Sequence, residues 1–147
     1  HLSLRRQRQM CIRDSSNTFA GNTVGIATAD AVLRILQRDG ILENASAMGE
    51  RLAAGLQALS ARMDGVRAMR HAGLFFGVDI GSEDMPPATR RAMALDVVNT
   101  MRDDGVLIST CGANEDTLKV RPPLVCEAQH VDRFLEALEA ALRKLAA

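Results

Sequence analysis

Several residue types that often define a protein's function are scarce in this chain of 147 residues. It has no tryptophan or tyrosine and only 3% aromatic residues, so its core must be built from aliphatic side chains and methionine. The 18 basic residues are balanced by 18 acidic ones, and a net charge of +0 favours neither nucleic acid nor an anionic membrane as a partner. No apolar run approaches the roughly 18 residues that a membrane-spanning helix requires. The sequence therefore predicts a globular domain with no nucleic-acid or membrane partner.

Signatures of metal, nucleotide and nucleophile sites are also missing. The cysteines Cys11, Cys111 and Cys126 form no CxxC pair, which favours reduced cytoplasmic thiols over a secreted disulfide framework. The histidines lie far apart in the sequence, so we expect no metal site. No glycine loop of a nucleotide-binding protein and no nucleophile elbow is present. The carboxylates fall mainly on polar helix faces, where we expect them to be solvated.

The chain opens on His1, and residues 1–14 show neither helical nor strand periodicity. The stretch Ser3–Asp14 resembles translated sequencing-adapter read-through, so we expect residues 1–14 to be a non-native or disordered leader. The alternative is a native basic tail that binds nucleic acid or lipid.

Beyond the leader, the period of the apolar residues changes along the chain. Four stretches have helical spacing and four have the alternation or brevity of strands. The predicted helices cover 23–39, 42–63, 88–104 and 127–145, and the predicted strands cover 66–70, 74–80, 106–109 and 117–121. This order favours an α+β fold, a small antiparallel-containing sheet with helices on one face. The apolar stripe of the first helix is expected to pack on something outside this chain.

Two features carry candidate chemistry. Asn17–Asn22 (NTFAGN) leads into a helix, where a hydroxyl and backbone N–H groups favour a phosphate, but taken alone this segment is better explained as an ordinary helix N-terminal cap. In TLKVRPPL, Lys119 and Arg121 fall on one face of a strand, and the paired prolines end that strand. An arginine fixed there suits a carboxylate, and a solvated basic edge is the alternative.

Together, NTFAGN, the helix TVGIATADAVLRIL, the strand GLFFGVDI and the pair GVLIST and TLKVRPPLV resemble the class III aminotransferases, in that family's order. The resemblance implies the C-terminal end of a fold-type I enzyme that uses pyridoxal 5'-phosphate and works as a homodimer. It implies that residues 15–40 end the cofactor domain and form an interdomain helix, and that 41–147 form the C-terminal small domain. Thr18 matches a threonine that reaches the cofactor phosphate of the partner subunit, and Arg121 matches an arginine that holds the substrate carboxylate.

The match departs from the family in one important respect. The lysine that forms a Schiff base with the cofactor should lie upstream of Thr18, and neither Lys119 nor Lys144 is placed to replace it. The resemblance therefore implies no catalytic residue within this chain. It implies amino transfer between an amine or amino acid and a 2-oxo acid by the intact enzyme, and inactivity of this fragment alone.

Two other functions remain open at the level of sequence. Pro87–Thr89, GVLIST and KVRPPLV resemble a branch that contains alanine–glyoxylate-type transaminases and ethanolamine-phosphate phospho-lyase. One alternative is therefore a phospho-lyase that acts on an amino-alcohol phosphate. The other is a non-catalytic α+β interaction module.

Overall fold

In a computed structural model, residues 21–146 of the chain are described. Within them lie helices α1 (Thr23–Arg38), α2 (Ile41–Arg62), α3 (Pro87–Asp103) and α4 (Ala128–Leu145), and strands β1 (Val66–Ala72), β2 (Phe75–Ile80), β3 (Ser109–Cys111) and β4 (Thr117–Val120). The described residues divide into two compact units, with the division between Asp39 and Gly40.

Helix α1 begins where its capping signal predicts. The Asn22 side chain accepts hydrogen bonds from the backbone N–H groups of Val24 (2.9 Å) and Gly25 (3.2 Å), which have no partner inside the helix. At the other end, Gly40 adopts the predicted left-handed conformation, with φ of 61°. None of the side chains of α1 is buried.

Helix α2 follows the apolar stripe read from the sequence. Six residues of the stripe or beside it are buried: Ala45, Gly49, Leu52, Ala53, Leu56 and Leu59. Leu42, which the spacing places at the start of the same stripe, is 60% exposed. The prediction is wrong for this residue, because the stripe finds packing partners only from Ala45 onward.

The strands form one four-stranded antiparallel sheet in the order β1-β2-β4-β3. Alternate residues of the two central strands are buried in the core, as the period of two predicts: Leu74, Phe76, Val78 and Ile80 in and before β2, and Leu118 and Val120 in β4. Helices α2 and α3 contact the sheet, and α4 packs on both of them. The expected α+β layer is confirmed.

The third strand differs from its prediction. The apolar run 106–109 predicts a strand there, and residues 111–114 predict a turn, yet β3 comprises Ser109–Cys111. The register of the β3–β4 hairpin pairs Ser109 with Lys119 and Cys111 with Thr117. Strand pairing depends on the partner strand and the turn as well as on local hydrophobicity, so the ladder lies further along the chain than the apolar run.

Helix α4 closes the core. Glu127 caps its N-terminus, and the backbone N–H of Glu127 donates to Nδ1 of His130 at 3.0 Å. The inward residues predicted from the spacing are buried, except for the half-buried Leu145: Val131, Phe134, Leu138, Ala141 and Leu142. Within residues 21–146, no helix combines the length and the apolar character that crossing a bilayer demands.

Candidate functional site

The face of the sheet opposite the buried strand residues carries most of the polar chemistry. We call it the open face and define it by Arg70 of β1, Phe75, Gly77 and Asp79 of β2, Thr117 and Lys119 of β4, and Arg121 beyond β4. Side chains alternate along a strand, so the burial of Phe76, Val78, Leu118 and Val120 on one face places these residues on the other. The sequence prediction that Lys119 and Arg121 share a face agrees with this alternation.

Arg121 stands directly after β4 and before Pro122. A residue that precedes proline is restricted to extended backbone conformations, so the direction of the chain at Arg121 is fixed locally. The guanidinium carbon lies 5.9 Å from the centroid of the Phe75 ring. Among the described residues, the Arg121 side chain has no hydrogen-bond or ion-pair partner.

The segment after Arg121 is tied to helix α2. The side-chain amide of Asn44 donates hydrogen bonds to the backbone oxygens of Leu124 and Cys126, both at 2.9 Å. These two bonds join residues about eighty positions apart and hold the turn that follows the prolines. This role of Asn44 could not be predicted from the sequence, because an asparagine on a helix usually faces solvent.

A cavity of about 450 Å³ opens beside the end of β4. Its polar wall includes Ser109, Lys119, Arg121 and His130, and its apolar wall includes Ile108 and Phe134. A cavity with an apolar wall and a few cationic groups suits a small molecule that carries an anionic group. Lys119 and Arg121 are thus both among the residues that line this cavity.

The open face also holds an ion cluster that the sequence analysis missed. The carboxylate of Asp79 is 7% exposed and accepts hydrogen bonds from Nη1 of Arg70 at 2.9 and 2.8 Å and from the hydroxyl of Thr117 at 2.5 Å. Burial acts to raise the pKa of Asp79, but the bonds from Arg70 and Thr117 outweigh it and hold the pKa below its ordinary value. Asp79 is thus a buried, ionised anchor for Arg70.

Glycine makes this arrangement possible. A Cβ atom at Gly77 would lie 3.3 Å from Cζ and Nε of Arg70 and 3.3 Å from the methyl group of Thr117. The Arg70 side chain therefore lies across the strand where Gly77 leaves room.

A second buried carboxylate continues the cluster. Asp116 is 4% exposed and accepts a hydrogen bond of 2.8 Å from Nε of Arg90. Arg67 stands at the irregularity between β1 and β2, and its Nη2 lies 3.6 Å from both Asp79 and Asp116. The expectation of solvated carboxylates is wrong for these two residues. The position of Asp79 between Val78 and Ile80 in an apolar strand was the signal from which its burial could have been predicted.

Other predicted site features are placed as follows. Thr18, predicted to bind the cofactor, lies outside the described residues 21–146. Lys144 is exposed in the last turn of α4. Cys111 and Cys126 are free thiols, and burial together with the charge of Glu127 raises the pKa of Cys126. Among residues 21–146, no group of three or more His, Cys, Asp or Glu side chains is placed to hold a metal ion.

Most of the chain is similar in sequence to known proteins of one family. A family model described as aminotransferase class-III matches residues 5–142, a range that begins inside the predicted leader. The taurine–pyruvate aminotransferase of Rhodobacter capsulatus is 35% identical over 145 residues, which cover 94% of this chain and 31% of that protein. The alanine–glyoxylate aminotransferase 2-like protein of Drosophila melanogaster is 30% identical over 87% of this chain and 27% of its own length.

Solved structures share the fold. A phospholyase from Arthrobacter in complex with phosphoethanolamine has a TM-score of 0.81 and 36% identity, over 97% of this chain and 33% of that one. The chain thus spans about a third of the length of the relatives that it matches.

Proposed function

Because the chain belongs to the class III aminotransferase family, as its motifs predicted, we propose that it forms the C-terminal part of a pyridoxal-phosphate enzyme. The proposed reaction is the transfer of an amino group between an amine or amino acid and a 2-oxo acid. In this proposal residues 15–40 end the cofactor domain and 41–147 form the small domain of a cytoplasmic homodimer.

The observation that carries this proposal is the state of Arg121. Arg121 is exposed, is one of the residues that line a cavity of about 450 Å³, and pairs with no carboxylate among the described residues. A guanidinium group binds a carboxylate through two parallel hydrogen bonds. Among the described residues, no other group accepts a hydrogen bond from the N–H groups of Arg121. We assign Arg121 the role of orienting the carboxylate of the substrate.

The cofactor itself would be held mainly by groups outside residues 21–146. The described residues fit the substrate half of such a site, because Arg121 and Lys119 offer cationic groups beside one cavity. Thr18 would donate its hydroxyl to the cofactor phosphate of the partner subunit. Bound pyridoxal phosphate supplies an electron sink when a bond breaks at the amine-bearing carbon. Neither Lys119 nor Lys144 is assigned the role of the cofactor-binding lysine.

Elimination of phosphate is the second candidate function. It is supported by the likeness to a phospholyase in complex with phosphoethanolamine. Lys119 borders the same cavity as Arg121, so a phosphate group would meet two cations there. The match of the family over residues 5–142 argues against the third alternative, a non-catalytic interaction module.

The test uses the intact enzyme that contains this chain. Purified enzyme is given taurine with pyruvate, alanine with glyoxylate, and separately phosphoethanolamine, while amino transfer and phosphate release are both measured. Amino transfer without phosphate release supports the main proposal, and phosphate release without amino transfer supports the second. If neither reaction exceeds the background rate, both proposals fail.

Arg121→Ala is the informative variant. We expect kcat/KM for carboxylate substrates to fall about 10- to 100-fold, the loss that follows from removing charge-assisted hydrogen bonds. Arg143→Ala is the matched control, since Arg143 is an exposed arginine that pairs with Glu139 on α4. Equal kcat/KM values for wild type and Arg121→Ala would contradict the assigned role.

A further inference from the structure

Phe75 is the large apolar residue of the open face. It is 54% exposed, although its neighbour Phe76 is fully buried at 0%. An aromatic side chain half in solvent loses part of the free energy that burial would provide. Its position needs an explanation, and the contact with Arg121 provides one.

The register of the sheet brings the two residues together. Phe76 pairs with Val120 in the antiparallel β2–β4 ladder, so the next residues outward are Phe75 and Arg121. Phe76 and Val120 are buried on the helix side, and the following pair therefore points to the open face. The Arg121 guanidinium carbon lies over the ring, 5.9 Å from its centroid, which is within the range of a cation–π contact.

An aromatic ring and a carboxylate attract a guanidinium group in different ways. The attraction comes from the negative face of the ring, and phenylalanine has no oxygen that would occupy the N–H donors. On the same face Asp79 binds Arg70 directly, at 2.8 and 2.9 Å, and takes up those donors. Phe75 can therefore restrict the Arg121 side chain and leave its positive charge and its hydrogen-bond donors available.

We propose that Phe75 is a positioning residue for Arg121. Its ring limits the rotamers of the arginine before the substrate binds, so less side-chain freedom is lost on binding. This inference rests on the proposed function, in which Arg121 binds the carboxylate of the substrate. The contact forms within the chain before any substrate is present, so we expect its effect on substrate binding.

Kinetics of the intact enzyme test the proposal. Phe75→Leu keeps an apolar side chain and removes the ring, and we expect KM for the carboxylate substrate to rise about two- to fivefold with kcat nearly unchanged. Phe75→Tyr keeps the ring face and should restore the wild-type KM. In the Arg121→Ala background, Phe75→Leu should cause no further rise. Leu42→Ala is the control for loss of an exposed apolar side chain elsewhere, because Leu42 is 60% exposed on α2.

The outcomes separate this inference from the proposed function. If Arg121→Ala raises KM but Phe75→Leu does not, Arg121 binds substrate without help from Phe75 and the positioning role is overturned. The positioning role is also overturned if KM remains raised in Phe75→Tyr. It is likewise overturned if Phe75→Leu raises KM further in the Arg121→Ala background. If the wild-type enzyme has no activity, the proposed function fails.

A spectroscopic measurement tests the contact between Phe75 and Arg121 and requires no enzymatic activity. In the full chain, the Cδ protons of Arg121 should show an upfield ring-current shift in the NMR spectrum that disappears in Phe75→Leu and persists in Phe75→Tyr. Identical shifts in wild type and Phe75→Leu would overturn the contact.

Discussion

Arg70 and Arg121 lie on the same face of the sheet, yet their guanidinium groups have different neighbours. Arg70 is bonded to the buried carboxylate of Asp79, whereas Arg121 lies over the Phe75 ring. The hydrogen-bond donors of Arg70 bind Asp79 and stabilise the sheet, whereas those of Arg121 remain available for an anion. At the scale of residues, the candidate site is defined by which arginine has a carboxylate beside it.

Asp79→Asn should reduce stability at neutral pH. Asparagine cannot offer the charge that binds Arg70 and Thr117, so we expect the free energy of unfolding to fall by about 1–2 kcal/mol. We keep the value low because the Arg70 side chain is 61% exposed and its charge is screened by solvent. Urea denaturation near pH 7 measures the difference.

The same variant predicts a change in pH dependence. The pKa of Asp79 is lower in the folded chain than its usual value of about 3.9 in unfolded chains. Its contribution is therefore fully present above about pH 5 and is lost as the pH falls through the lower, folded pKa. Wild type should lose more stability than Asp79→Asn between about pH 5 and pH 2. Asp96→Asn, on the exposed side of α3, is the control, and parallel curves for wild type and Asp79→Asn would refute the prediction.

At the scale of elements, helix α2 packs closely on the turn between β1 and β2. Gly49 of α2 is buried, and a Cβ atom there would lie 2.7 Å from the backbone oxygen of Gly73 in that turn. The sequence predicts close packing at Ala45 and Gly49 from their small size, and this is confirmed. The turn as the partner could not be predicted, because it depends on how the helix crosses the hairpin.

Gly49→Ala should therefore destabilise the chain, although alanine favours helix by about 1 kcal/mol over glycine. The clash is with backbone, which cannot rotate away as a side chain can, and overpacking of this kind costs about 1–3 kcal/mol. We expect a net loss of up to about 2 kcal/mol in the free energy of unfolding, measured by urea denaturation.

Gly25→Ala is the matched control for that substitution. Gly25 is also helical, and the nearest atom to an added Cβ is the Cβ of Asn22 at 3.9 Å, an ordinary contact. This variant should be neutral or slightly stabilising. If both glycine variants behave alike, steric contact with Gly73 is not what selects glycine at position 49.

At the scale of the whole molecule, helix α1 carries an apolar surface that remains exposed. Four of its large apolar residues are at least half exposed: Val24 (73%), Ile26 (59%), Val32 (50%) and Leu33 (58%). Several large apolar side chains exposed on one helix are typical of a region that contacts another chain or domain. This agrees with the expectation that the helix packs on something outside the chain, which stays a prediction.

We therefore expect the isolated chain to self-associate as its concentration rises. Light scattering should show a growing mean mass for the wild type, and the double variant Ile26→Gln and Leu33→Gln should reduce this growth. Leu107→Gln removes an apolar residue that is 81% exposed outside α1 and serves as the control. A monodisperse monomer at all concentrations would contradict the prediction.

The isolated chain should also be catalytically inactive. Neither of its lysines matches the position that binds the cofactor in this family, so the chain with added pyridoxal phosphate should show no amino transfer above the background of free cofactor. The intact enzyme assayed in parallel is the positive control. Amino transfer by the purified chain that exceeds this background would show that the prediction is wrong.

The helices, the faces of the central strands and the family could all be predicted from the amino-acid sequence. Helical and strand periods are local properties, so the cap at Asn22, the buried stripe of α2 and the alternation around Phe76 follow from neighbouring residues. The position of Arg121 before Pro122 is likewise visible in the sequence. The motifs that resemble class III aminotransferases are confirmed by the match over residues 5–142.

Which side chains contact one another depends on how the strands and helices pack together. The strand order β1-β2-β4-β3 places β4 beside β2, and this pairing joins Asp79 to Thr117 and brings Phe75 under Arg121. The pairing of β3 with β4 sets the limits of β3, which local hydrophobicity misplaces. These contacts join residues that are dozens of positions apart, and no local period carries information about them, because register arises when the strands and turns pack together.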